Sequence, residues 1–90
     1  MTDADLPAIQ ASLLRRCALG DAAALRTLYD GCAPQLYAVV LRILSRPDLA
    51  EDALQDAFIQ IWRNAGSYRP GKGQPMTWMY GIARYRALDS

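Results

Sequence analysis

The chain has 90 residues, 52% hydrophobic and 21% charged, which allows one globular domain with one modest core and excludes a disordered chain. No apolar run approaches the roughly 18 to 20 residues that a membrane helix needs. The acidic start Met1-Thr2-Asp3-Ala4-Asp5 lacks the basic opening of a signal peptide, so a cytoplasmic protein is expected. The net charge of +1 conceals an asymmetry: residues 1–30 sum to −1, residues 31–60 to −2, and residues 61–90 to +4. Such a split suggests two partners of opposite sign, the ordinary alternative being an unevenly charged solvated surface.

Strand signals are poor, because nothing alternates with period two for long and β-branched residues are few. Helix signals are strong, and an all-α bundle of four to five helices is expected. Asp5 can cap a first helix with Pro7 in its first turn, ending near Gly20. Asp21 can cap a second, from Ala22 to about Asp30. Gly31 and Pro34 interrupt the pattern, and a further segment from about Pro34 to Leu44 places Leu36, Val40, Ile43 and Leu44 on one face. Whether these two segments bend or form one kinked helix is open at this stage. After Pro47, Asp48 with Glu51 three residues later reads as a capping box. The helix from Leu49 to Arg63 then carries Ala50, Leu54, Phe58 and Ile61/Trp62 on one stripe with Ala53 and Ala57. Three glycines and two prolines make residues 66–75 an irregular loop, and Pro75 opens a last helix from Met76 to about Asp89. The chain stops at Asp89-Ser90 with neither a C-cap glycine nor a tail, which suggests a break within a longer protein. Residues 1–20 read as a helical extension and residues 21–90 as the domain proper.

The parts of the common active sites are missing. There is no His and no nucleophile elbow, and Gly71-Lys72-Gly73 lacks the spacing and the following Ser/Thr of a phosphate-binding loop. Cys17 and Cys32, 15 residues apart without histidines, do not make a common zinc pattern and read as small buried hydrophobes. Glu51, Asp52 and Asp56 come with no nitrogen ligand, so a solvated helix face is the better reading than a metal site. Neither enzymatic activity nor a cofactor is expected.

Two surfaces remain. Asp52, Gln55 and Asp56 lie at i, i+3 and i+4, so they cluster beside Ile59 on a patch suited to a basic partner helix, plain solubility being the alternative. The last helix sets aromatics beside cations. Trp78, Ile82 and Tyr85 share one face and Tyr80 and Arg84 another, with Arg86 near by, and the preceding loop adds Tyr68, Arg69 and Lys72. Exposed aromatics stack on bases while arginines neutralise phosphate. The alternative puts Trp78, Ile82 and Tyr85 in the core. Trp78 and Tyr80 stand two apart on a helix and cannot both point inward, so one is expected to be accessible.

These residues also resemble a known family. Ala50-Glu51-Asp52-Ala53-Leu54-Gln55-Asp56-Ala57-Phe58-Ile59-Gln60-Ile61-Trp62-Arg63 closely resembles the second conserved helix of bacterial RNA polymerase sigma factors. Thr77-Trp78-Met79-Tyr80-Gly81-Ile82-Ala83-Arg84-Tyr85-Arg86-Ala87-Leu88-Asp89 resembles their promoter-recognition helix, and Tyr68-Arg69-Pro70-Gly71 between them fits as well. The style is that of the extracytoplasmic-function (ECF) group, over about residues 22–89. The resemblance implies a region-two domain that docks on the clamp helices of the polymerase's largest subunit. Asp52, Gln55, Asp56 and Ile59 would form the docking patch, with Phe58 and Trp62 as its core. It further implies that the loop from Tyr68 to Pro75 holds a base flipped from the non-template strand of the minus-ten promoter element. Trp78 matches an aromatic associated with duplex opening, with Thr77 beside it among the DNA-binding candidates, and Arg84, Tyr85 and Arg86 match the segment that faces the element's upstream edge. A cognate anti-sigma factor is a further implied partner. Many relatives carry Asn where Tyr85 stands, and Tyr cannot read a base edge bidentately as Asn can. The helix-turn-helix domain that relatives carry is not in this sequence. The rival reading is an all-helical interaction module with a sigma-like fold and no DNA binding.

Overall fold

The first helix, α1 (Leu6–Ala18), buries Gln10, Leu13, Leu14 and Cys17, a stripe at helical spacing, in the computed structural model, which describes residues 6–89. The proposed cap Asp5 lies outside the described residues. The end of α1 is set by Gly20 at φ +89°, a left-handed conformation that glycine adopts without steric cost. The amide of Gly20 donates to the Cys17 carbonyl at 3.0 Å and that of Asp21 to the Arg16 carbonyl at 3.0 Å, a Schellman closure. Asp21 then starts the next helix without a spacer. Its Oδ1 accepts from the amides of Ala23 and Ala24 at 3.0 and 3.3 Å, and its Oδ2 accepts from Arg16 Nε at 2.9 Å. The Arg16 bond, followed by the Ala24 amide, holds the Asp21 carboxyl below the usual aspartate range.

The second helix, α2, is one continuous helix, Ala22–Leu44, with Pro34 inside it. Of the two arrangements the sequence leaves open, the structure has a single helix that runs through Gly31 and Pro34. Proline in a helix interior costs about 3 kcal/mol and glycine about 1. The stripe Leu28, Cys32, Leu36 and Val40 is at most 2% exposed, and burying such side chains returns about 1.5–3 kcal/mol each. Pro34 and Asp30 are both exposed, so water can satisfy the carbonyl that proline leaves unpaired. The helix ends at Ser45, left-handed at φ 63°, whose amide donates to the Leu41 carbonyl at 2.7 Å.

The third helix, α3 (Pro47–Asn64), begins earlier than the sequence pattern indicates, and the Asp48–Glu51 capping box does not form. Pro47 has the fixed φ that suits a first helical position, so Arg46 becomes the extended N-cap residue and Asp48 falls inside the first turn. The Asp48 carboxylate instead accepts from Arg46 Nε and Nη2 at 3.2 and 2.8 Å. The buried stripe of α3 is the expected one: Ala50, Ala53, Leu54, Ala57, Phe58 and Ile61, with Trp62 half-buried. The loop is less irregular than its composition suggests, because it holds two 3-10 turns, Ala65–Ser67 and Pro70–Lys72.

The last helix, α4 (Pro75–Leu88), buries Pro75, Met79, Ala83 and Ala87, spaced by four. Trp78, Ile82 and Tyr85 are therefore not its core stripe: Tyr85 is 64% exposed and the other two are half-buried. The inward direction falls on Met79, so Trp78 and Tyr80 flank it and share the boundary, each half-buried. The four helices close around one core in which Leu14, Leu28, Leu36, Val40, Ile61 and Met79 are fully buried. Helix α1 shares that core, so no core boundary falls at residue 20. It also packs against the Ala65–Ser67 turn, at the root of the loop. Cys17 and Cys32 are free, buried thiols, both pushed above the ordinary cysteine range first by burial. Gln10 Nε2 lies 3.6 Å from Cys32 Sγ.

Ala57 is fully buried, so the larger side chain of Ala57→Leu should overpack the core and cost about 1–3 kcal/mol in urea unfolding. The same measurement should show a loss under about 0.5 kcal/mol for Ile59→Ala on the exposed face. Because the Asp21 pKa is depressed in the fold, its contribution is present above the unfolded carboxylate pKa and is lost as pH falls through the folded value. Asp21→Asn should accordingly lower the melting temperature at neutral pH and flatten the acid limb of a plot of melting temperature against pH.

Candidate nucleic-acid and polymerase interface

The outer face of α3 carries Asp52 and Gln55, both exposed, with half-buried Asp56 and with Ile59 at 47% exposure. The inward stripe of alanines, Leu54, Phe58 and Ile61 turns these side chains outward by the helical period. Ile59 borders an apolar groove of about 390 Å³ formed with Leu25, Tyr29, Phe58 and Trp62, in which the Tyr29 and Phe58 rings lie 4.8 Å apart. Asp56 stands apart from the rest of the patch. Its Oδ2 accepts from Arg86 Nε at 2.8 Å and Nη2 at 2.5 Å, across the contact between α3 and α4. Two residues expected to meet partners of opposite sign thus meet each other. Side chains spaced along one helix are legible in sequence, whereas a pair 30 residues apart depends on how α3 and α4 pack.

The loop folds back onto the start of α4. Tyr68 is 9% exposed, and its hydroxyl donates to the Gly73 carbonyl at 2.8 Å. Its ring meets Trp78 edge-on with centroids 5.7 Å apart. Tyr68 is thus the loop's anchor. Gly73 sits at φ +131°, which lets the chain turn to present that carbonyl. Arg69 is exposed, and its Nη1 donates to the Gly66 and Tyr68 carbonyls at 2.6 and 3.0 Å. Between loop and helix lies a cavity of about 230 Å³ lined by Ser67, Tyr68, Lys72, Gly73, Thr77 and Trp78. Lys72 and Thr77 are exposed on it.

Beyond Trp78, α4 faces two ways. Tyr80 and exposed Arg84 border a groove of about 460 Å³ shared with Val39, Arg42, Ile43 and Leu88. Trp78, Ile82, Tyr85 and Arg86 border another of about 390 Å³, shared with Gln60 and Asn64 of α3. Arg42, Gln60 and Asn64 were not singled out by sequence pattern. Gln60 and Asn64 carried only a faint signal, an i, i+4 pair of amides near a helix end. Among the described residues no group of His, Cys, Asp and Glu is arranged to hold a metal, and no helix is long and apolar enough to cross a membrane.

Residues 28–90 match the family model described as Sigma-70 region 2, from within α2 through the end of α4. The chain belongs to the Sigma-70 region 2 family. It is 43% identical over 77 residues to an ECF RNA polymerase sigma factor SigK of Mycobacterium sp. strain KMS, covering 86% of this chain and 40% of that protein. It is 37% identical over 89 residues to the SigK of Mycolicibacterium vanbaalenii, covering 96% and 45%, and 35% identical over 78 residues to that of Mycobacterium tuberculosis strain H37Ra, covering 87% and 42%. The chain thus spans less than half the length of these curated relatives. In this region-two domain α1 lies outside the matched segment, yet it buttresses the loop through the Ala65–Ser67 turn.

The anchoring of the loop yields a prediction. Tyr68→Phe removes the hydrogen bond to the Gly73 carbonyl and leaves the ring packing in place. Cleavage by trypsin after Lys72, the loop's cleavable cation since Arg69 precedes Pro70, should accelerate severalfold while far-ultraviolet circular dichroism stays unchanged, because a freed loop opens locally without the helices.

Proposed function

We propose that this ECF-type sigma region-two domain acts in transcription initiation in the bacterial cytoplasm, as a binding module without a catalytic step. The outward face of α3, through Asp52, Gln55 and Ile59 with Asp56 at its edge, docks on the clamp helices of the polymerase's largest subunit. The loop and α4 hold the non-template strand of the minus-ten promoter element and help it open. The observation that carries the DNA half is the loop cavity of about 230 Å³, walled by Trp78 and Tyr68 and flanked by the exposed cation Lys72.

The chemistry fits the task. Extruding a base costs a few kcal/mol, which stacking on an aromatic, at roughly 1–3 kcal/mol per base, can offset. Arg69, Lys72 and Arg84 are exposed to neutralise phosphate, and Thr77 adds a hydroxyl at the cavity rim. Tyr68 contributes by shaping the pocket, its own hydroxyl being engaged within the loop. Tyr80 and Tyr85 add aromatic surface on the two sides of α4. A cognate anti-sigma factor would be a partner of the whole protein, and no residue here is assigned to it.

Asp52→Arg is the substitution that tests docking, since Asp56→Arg would also set a cation against Arg86. In a titration against the isolated clamp-helix fragment, the parent chain should bind saturably and Asp52→Arg should weaken binding on the order of tenfold or more. Lys72→Glu and Arg84→Glu should keep clamp affinity but weaken binding of a forked minus-ten oligonucleotide, with a shallower salt dependence. Unchanged clamp binding by Asp52→Arg would sink the docking assignment. Clamp binding with no DNA binding in any variant would leave an interaction module.

A further inference from the structure

The groove between the end of α3 and α4 has an unusual polar floor. Gln60 and Asn64 stand one turn apart on α3, facing Trp78, Ile82 and Tyr85 across about 390 Å³. Asn64 Nδ2 donates to the Gln60 backbone carbonyl at 2.9 Å. A carbonyl oxygen only accepts, so this bond sets which end of the Asn64 amide is nitrogen and leaves its Oδ1 as an acceptor. The same Nδ2 lies 3.4 Å from Gln60 Oε1, so the Gln60 amide turns its oxygen toward Asn64 and keeps Nε2 as a donor. Neither Gln60 Nε2 nor Asn64 Oδ1 has a hydrogen-bond partner among the described residues. The two amides together offer one donor and one acceptor at the same groove.

That combination is selective. In the major groove of duplex DNA a donor beside an acceptor is the signature of adenine, through N6 and N7. Guanine offers two acceptors there, cytosine a donor, and thymine an acceptor with a methyl group. The opposite wall lacks this discrimination. Tyr85, 64% exposed, can stack on any base and its hydroxyl adds a single polar contact.

We propose that Gln60 and Asn64 read the edge of an adenine in the duplex next to the opened segment, which makes the end of α3 a base-specificity determinant of this domain. The proposal rests on the nucleic-acid reading of α4 given above. Asn64 acts as acceptor and also holds the Gln60 amide in its reading orientation.

The test titrates the chain, saturated with the clamp-helix fragment, with fork-junction oligonucleotides whose upstream duplex pairs are varied one at a time. The parent chain should prefer adenine at one duplex position on the order of tenfold. Gln60→Ala should flatten that preference to near unity, and Gln60→Glu, which exchanges a donor for an acceptor, should move it toward cytosine. Trp78→Ala should weaken all sequences alike. Circular dichroism checks folding, and the near-isosteric Gln60→Glu guards against loss of structure. Base preferences unchanged in both Gln60 variants, or no upstream preference in the parent, would overturn this inference while leaving the DNA face intact. No oligonucleotide binding by the parent would remove the nucleic-acid reading and this inference with it.

Discussion

The seam of small residues between α3 and its neighbours is the constraint on which the rest of the molecule depends. Ala50 and Ala57 are fully buried and Ala53 nearly so, while α4 presents Ala83 and Ala87 inward, equally buried. Methyl groups at these positions let helix backbones come close, and larger side chains would force them apart. The large apolar groups, Leu14, Leu28, Leu36, Val40, Ile61 and Met79, fill the space that remains. Close approach of α3 and α4 is what allows Arg86 to reach Asp56 and sets Gln60 and Asn64 opposite Trp78 and Tyr85. The surface features that carry the functional reading thus depend on how α3 and α4 pack together.

The charge distribution looks different in three dimensions from its one-dimensional profile. Along the chain the acidic middle and the basic end separate cleanly. In the fold the two meet at Asp56 and Arg86, so the proposed polymerase face and the proposed promoter face are joined by an ion pair. The pair is partly exposed, and its worth lies in setting the geometry of the α3–α4 contact more than in stability. The loop follows the same logic. Tyr68 and Gly73 tie it to itself, Trp78 gives it a wall, and α1 supports its root, so a segment of glycines and prolines acquires a defined cavity. A preformed cavity reduces the ordering cost of binding a strand, which suits the proposed capture of an unstacked base with few contacts.

Much of the fold was legible because its determinants are local. The stripe of α3 follows from period 3.6, the stop at Gly20 and cap at Asp21 follow from short-range hydrogen bonding, and the start at Pro75 follows from fixed φ. One reading needed correction, at Pro47, and two points that sequence left open were decided by packing. Pro34 is tolerated because burial of the α2 stripe outweighs its local cost, a tertiary effect that no window of sequence contains. Pro47 takes the first helical position that a capping box at Asp48 would have displaced. On α4 the alternative that put Trp78, Ile82 and Tyr85 in the core does not hold: the inward stripe is Met79 with Ala83 and Ala87, which leaves Trp78 and Ile82 half-buried and Tyr85 exposed.

By itself the sequence determined an all-helical chain, the family to which it belongs, and the chemical character of two surfaces, since each depends on residue type at helical spacing. Only the tertiary structure decided which of those residues are available. Tyr68 turns inward to anchor the loop, Asp56 engages Arg86, and the amides at Gln60 and Asn64 gain a facing wall. The physical reason is that helical period fixes direction around one axis only. The distance and angle between axes are set by how side chains from all four helices share a single core, and that sum over distant residues is not written in any one segment.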